Sequence, residues 1–254
     1  MMGTRGDSAF GAARAIYTRI LRTIFPTLNP HSHLKQVIEI GRTIFPILDP
    51  HYYLKQVTGV IHVGANVGQE RQRYARYKLK VLWIEPLPNV FEQLCKNIKS
   101  FPDQAAVNHL ITDKDDVEYL FHVSNNGGQA SSILDLARSS EIWPDVHYVS
   151  KVTLKSITLD TLLTNIGHGI SAYQALVMDT QGSELLVLKG ATKSLDQFKF
   201  IRTEAADFEA YTHCARVEEL TSYLRQFGFR LVLSEKKAES PKGGRYYDLL
   251  YWKS

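Results

Sequence analysis

The chain has 254 residues, 44% of them hydrophobic and 22% charged, the balance of an ordinary globular protein with ample length for a full core. No window supplies the roughly 20 apolar residues that a membrane-spanning helix needs, so no transmembrane span is expected. The net charge of +4 sits in residues 1–60, which carry seven Lys/Arg against three acids, while the remainder holds 23 of each sign. A nucleic-acid binder needs a basic folded surface, so no nucleic-acid partner is expected.

The two cysteines, Cys95 and Cys214, are far apart and make no metal spacing. They read as reduced thiols of a cytoplasmic protein. The basic, acid-poor start lacks the continuous apolar stretch of a secretory signal and reads as a helical leader. A segment "RTIFPTLNPHSHLKQV" (22–37) recurs as "RTIFPILDPHYYLKQV" (42–57), identical at 12 of 16 positions. Two copies are too few for a solenoid. In each, Asn29-Pro30 or Asp49-Pro50 places a capping side chain before a proline, the signature of a helix start. The division is therefore a helical leader over 1–57 and a folded domain over 58–254.

From residue 58 strands and helices alternate. "GVIHVG" predicts a strand, "QERQRYARYKL" a helix, "KVLWIEP" a second strand and "PNVFEQLCKNIKS" a second helix. "AAVNHLIT" predicts a third strand with "VEYLFHV" as its hairpin partner. The polar "SNNGGQASS" (124–132) has loop composition. A strand near 149–157, the helix "LDTLLTNI" and the strand "QALVMD" follow. The helix "SELLVLKGATKSL", the strand "FKFIRTEA", the helix "VEELTSYLRQFG" and the strands "RLVLSE" and "YYDLLYW" complete the chain. This alternation predicts an α/β fold, a mainly parallel sheet covered on both faces, with the last two strands as an antiparallel edge hairpin.

In open sheets of this kind, ligands sit beyond the carboxyl ends of the strands. Four such ends carry suggestive residues: Gly64 to Gly68, Glu85, Asp179 and Glu204. A dinucleotide fingerprint would read G-x-G-x-x-G, its middle glycine letting the backbone approach a pyrophosphate. Here "GANVG" puts Asn66 at that position, which argues against close pyrophosphate approach. Glu85 lies 21 residues after Gly64, where a carboxylate can accept from both ribose hydroxyls of NAD or of S-adenosylmethionine alike.

The second half separates these. "VIHVGANVGQE", "VLWIEPLPNVFEQL", "SNNGGQASSIL", "ITLDTLL", "MDTQGSELLVLKGA" and "FIRTEA" together resemble the FkbM family of S-adenosylmethionine-dependent methyltransferases, from about residue 53 to the C-terminus. The resemblance implies a Rossmann-like seven-stranded fold and S-adenosylmethionine as cofactor. It places Gly64, Ala65, Asn66 and Gly68 around the cofactor's amino-acid portion, Gln69 at the next helix, and Glu85 on the ribose. Asp113 reads equally as an adenine contact or a turn aspartate. Many methyltransferases carry an acid two residues before the first glycine; this chain has His62, which cannot balance an ammonium group.

Transfer to a hydroxyl requires removal of a proton, for which Asp179 and Glu204 are the candidate bases. Asn125, Asn126, Ser131, Ser132 and Gln181 are candidate acceptor-pocket residues, with no metal set. Glu184 reads as a first-turn acid favoured by the helix dipole, and His213 as a surface histidine. The expected partner is a small-molecule or glycan hydroxyl acceptor, and no oligomeric state is implied. Two other readings stand beside this one: an NAD-dependent oxidoreductase, and a non-catalytic cofactor-binding module.

Overall fold

The computed structural model describes residues 51–167 and 170–253. The first copy of the repeat and the start of the second, with both predicted proline-initiated helix starts, lie outside these residues. The end of the second copy is described: a 3-10 turn over Tyr52–Lys55, in which Tyr53 and Leu54 are each 1% exposed. These two side chains and Val57 share one core cluster with β1 (Gly59–Val63) and β2 (Lys80–Ile84). Residues 53–57 thus belong to the packed body of the domain.

The strand β1 is buried along its whole length, as a near-continuous apolar run at the centre of a parallel sheet should be. Its side chains alternate. Val60 packs with Tyr53, Tyr74 and Leu94 on one face; Ile61 and Val63 pack with Leu159, Leu188 and Leu220 on the other. The elements then run α1 (Arg71–Arg76), β2, α2 (Pro88–Ile98) and β3 (Gln104–Val107), followed by β4 (Leu110–Ile111), β5 (Glu118–Ser124) and β6 (Tyr148–Ile157). After α3 (Leu159–Ile166) come β7 (Ala175–Met178), α4 (Glu184–Lys189), β8 (Phe200–Ala206), α5 (Val217–Gln226), β9 (Arg230–Glu239) and β10 (Arg245–Trp252).

Seven strands form one sheet in the order β3-β2-β1-β7-β8-β10-β9. The first five are parallel, and β10 inserts antiparallel between β8 and the edge strand β9. The mainly parallel sheet and its antiparallel C-terminal hairpin are as the alternation predicts, and the seven strands of a Rossmann-like sheet are as the family resemblance implies. Among the described residues, no helix is long and apolar enough to cross a membrane.

The middle of the chain differs from the sequence expectation. "AAVNHLIT" is divided between sheets: β3 stays in the main sheet, while β4 leaves it for a second sheet of order β4-β6-β5. The partner of "VEYLFHV" is therefore β6, paired antiparallel from Glu118–Lys155 to Ser124–Tyr148. Alternation reveals that β5 has a wet face and a dry one, but it does not name the strand beside it. The segment between β5 and β6 is held over the end of the main sheet by backbone bonds from Ala137 and Ser139 to Ala210 and from Thr212 to Asp135.

Because Leu54 is fully enclosed, Leu54→Ala should lower unfolding free energy by about 2–5 kcal/mol. Urea denaturation measures this, and a loss below about 0.5 kcal/mol, the range of ordinary surface substitutions, would place the segment outside the core.

Candidate active site

The carboxyl ends of β1, β2, β7 and β8 open into one cavity of about 710 Å³, within the size range of small-molecule sites. Its first wall is the turn after β1. Gly64 has φ +78°, and a Cβ added there would lie 2.0 Å from the Asp179 carbonyl oxygen. Only a bare α-carbon fits. The amides of Gly64 and Ala65 both donate to Ile84 O, at 3.0 and 3.1 Å, tying the turn to β2. Gly68 serves differently: it faces Leu94, whose Cδ1 a Cβ would meet at 2.7 Å. It lets α2 pack close and is not part of the lining.

Glu85 sits at the end of β2, 5% exposed. Its Oε2 accepts from the Asn66 amide at 2.8 Å and its Oε1 from the Leu87 amide at 2.9 Å. Each oxygen keeps lone-pair capacity for a further donor, and burial raises the carboxyl to about 7. Asn66, at φ +45°, reaches from this turn to Gly127 O at 3.1 Å and receives Gln69 Nε2 at 3.2 Å. It links the glycine turn to the 124–132 loop, and Gln69 lines the cavity beside it.

His62 lines the same cavity. Its ring stacks on Trp83 with centroids 4.9 Å apart, and Nδ1 shares a hydrogen bond with the Tyr74 hydroxyl at 3.1 Å. Burial holds the imidazole down to about 4, so it is neutral at physiological pH. The charged groups that act on the ring are Glu70 and Arg202, and Arg73, one turn beyond Glu70 at the start of α1, also lines the cavity. Glu70 closes the very stretch "VIHVGANVGQE" yet carries no motif of its own, and sequence reasoning passed over it.

The second wall holds the acids. The pairing of β7 with β8 ends at Met178–Thr203, which leaves Asp179 and Glu204 one step further along adjacent strands. Both line the cavity, and burial pushes both carboxyls upward, that of Glu204 further through the Asp179 charge. Gln181 Nε2 donates to Asp179 Oδ1, and the Tyr211 hydroxyl donates to Gln181 Oε1. Lys237, from β9, pairs with Glu204. Arg202 binds Asp248 at 3.3 Å, and its charge also acts on the buried Tyr53. Glu184 is buried beneath the turn, its Oε1 accepting from the amides of Thr180 and Gly182 at 3.0 and 3.2 Å. It stitches the turn that aims Gln181, a more specific role than favouring a helix dipole.

The remaining expected site residues separate into lining and support. Asn126 and Ser131 line the cavity; Asn125 and Ser132 do not. Asn125 is committed to Asp145 O at 2.9 Å and the His147 amide at 3.2 Å. Ser132 Oγ donates to Gln181 O at 2.8 Å and so braces the opposite wall. Asp113 is absent from the lining, where His109, Leu110 and Ile111 stand. The chain leaves the main sheet after Val107, which carries Asp113 past the cavity to the neighbourhood of Gly190. His213 is exposed outside the cavity. Sequence reasoning missed Tyr211, Tyr246, Trp143 and Lys237, all lining residues, because none sits in a glycine turn or at a parallel strand's end.

A model described as "Methyltransferase FkbM domain" matches residues 62–231. No curated protein matches the chain. Among solved structures, M. capricolum TrmK with S-adenosylhomocysteine is similar at 8% identity and TM-score 0.48, over 83% of this chain and 68% of that one. The magnesium protoporphyrin IX methyltransferase of Synechocystis PCC 6803 is similar at 9% identity and TM-score 0.43, over 92% and 89%.

His62 carries a sign that can be measured. Its folded value lies below its unfolded one, so the unfolded chain binds the extra proton and stability is lost as pH falls from about 6.5 toward about 4. The stability difference between wild type and His62→Phe should become about 2 kcal/mol less favourable to wild type from pH 7 to pH 5. Urea titrations at both pH values measure this; an unchanged difference would mean that the ring is already solvated or charged.

Proposed function

The chain belongs to the FkbM methyltransferase family, and from this premise we propose that it moves the methyl group of S-adenosylmethionine to a hydroxyl of a sugar or polyhydroxylated metabolite. Dependence on S-adenosylmethionine follows from the family. The hydroxyl acceptor is our own reading, and the observation that carries it is the pair of buried carboxylates, Asp179 and Glu204, in the same cavity as the turn assigned to the ribose.

The residues present fit the cofactor. Glu85 offers one free acceptor site on each oxygen to a ribose diol, and its two amide partners fix its plane. The cradle at Gly64 admits a ligand against bare backbone. The methionine portion is a zwitterion and needs a group of each sign. Glu70 would take the ammonium and Arg73 the carboxylate, a division that removes the difficulty posed by a neutral His62.

When bound, S-adenosylmethionine supplies an electrophilic methyl group, whose in-line transfer makes an O–CH₃ bond and leaves a neutral thioether. The protein's contribution is alignment and a place for the hydroxyl proton. Asp179 is the better placed base: its backbone packs on Gly64, which sets the residue next to the cofactor turn, and it lines the same cavity. Gln181, fixed at its other end by Tyr211, holds Oδ1 and leaves Oδ2 for the acceptor. Asn126 and Ser131 face the same space from the 124–132 loop, and Trp143 meets Tyr246 edge-on, with ring centroids 5.2 Å apart. Carboxylates beside aromatic faces suit a polyol, which has hydroxyls on its rim and C–H groups on its face.

A screen of hydroxylated acceptors with isotopically labelled S-adenosylmethionine tests the proposal. With an acceptor in hand, Asp179→Asn should lower turnover by about 10²- to 10⁴-fold, the usual range for loss of a general base, while S-adenosylhomocysteine still binds. Turnover within about twofold of wild type would remove Asp179 from the chemistry. The acidic limb of the wild-type rate profile should lie above the ordinary carboxylate range, since burial raises the base and only its ionised form accepts a proton.

A further inference from the structure

The reading above needs a carboxylate that is buried and yet charged, and those two requirements conflict. Two carboxylates that share a dry pocket tend to keep a proton between them, because burial and mutual repulsion both disfavour the second charge. The surroundings of the pair decide how much charge survives. From β10, Asp248 stands directly opposite Glu204 in the strand register, and its charge is met by Arg202. Tyr246 and Tyr211 approach from β10 and from the segment after β8, both held neutral by burial. Glu184 lies below in α4 and also acts on Asp179, as does Glu70 from the cofactor side. Glu235, on β9 opposite Asp248, is exposed. Among the described lining residues three are Lys or Arg: Arg202 is committed to Asp248, and Arg73 lies at the far end, on α1. The third, Lys237, reaches across from β9 to Glu204.

We infer that Lys237 is a positioning residue that keeps one negative charge on the Asp179–Glu204 pair, so that the pair can accept the proton of the acceptor hydroxyl. It rests on the methyltransferase reading for its purpose, though not for its physics. Lys237 acts through Glu204: its ammonium neutralises that carboxylate, which lessens the repulsion felt by Asp179. The Gln181 amide then meets Asp179 as a donor, because its carbonyl end is already taken by Tyr211. The cation comes from the edge strand and its side chain is 43% exposed, so it enters the pocket from solvent and keeps its proton cheaply.

The test is a titration of the side-chain carboxyl carbons of Asp179 and Glu204 by NMR, in wild type, Lys237→Met and Lys237→Arg. Lys236→Met serves as control, since Lys236 is exposed and pairs with Glu239 outside the cavity. Lys237→Met should raise the midpoints of the pair by at least about one pH unit, a tenfold gain in proton affinity, and Lys237→Arg should restore them. Lys237→Gln repeats the neutral substitution with a polar side chain, in case the methionine perturbs the edge strand. Midpoints unmoved in both neutral variants, or moved equally by arginine, would overturn the proposal. The measurement uses neither cofactor nor acceptor. Failure of S-adenosylhomocysteine to bind wild type would sink the methyltransferase reading and leave the titration standing, and the reverse also holds.

Discussion

The site depends on a close approach between two strand ends. The Asp179 carbonyl lies where a side chain at position 64 would begin, 2.0 Å from any Cβ placed there. In the proposed mechanism, that contact joins the turn assigned to the ribose to the residue assigned as base. A larger residue at 64 would push β1 and β7 apart and, on the proposed reading, separate the cofactor turn from the base. Gly64 is thus set by the approach of the backbone as much as by its positive φ.

Around this contact the protein sorts charge by burial. His62 is stacked in an aromatic cluster and stays neutral, Glu85 is buried but bonded by two amides, and the Asp179–Glu204 pair is buried against one lysine. A neutral histidine at the end of the cavity costs little if, as proposed, Glu70 and Arg73 carry the charges that a zwitterion requires. On the proposed reading, the histidine that looked like a defect in the sequence reflects a change in which element supplies the carboxylate: the turn leading into α1 in place of β1.

Much of this was legible beforehand. Strand–helix alternation gave the mainly parallel sheet and its antiparallel hairpin, because these follow from local pattern, while the count of seven strands came with the family resemblance. Residues at the ends of parallel strands were found for the same reason: topology brings Gly64, Glu85, Asp179 and Glu204 to one edge whatever their side chains do. What stayed hidden arrives from elements that pair at a distance. Lys237 lies on an edge strand with no motif, and Tyr211 follows β8 in an irregular segment. The partner of β5 is set by a chain reversal over residues 125–147, which no local period encodes. Of the residues set near the cofactor, Gly68 and Asp113 lie outside the cavity lining; for Asp113, read equally as an adenine contact or a turn aspartate, that favours the turn.

The central claim is that this cavity is built around the adenosine and methionine of one cofactor, with Glu85 on the ribose. Calorimetric titration of wild type and Glu85→Gln with S-adenosylhomocysteine and with NAD tests it most directly. The account predicts that wild type binds S-adenosylhomocysteine and not NAD, and that Glu85→Gln weakens that binding at least tenfold, about 1.4 kcal/mol. Binding of NAD without S-adenosylhomocysteine, or an unchanged affinity in the Glu85 variant, would contradict it.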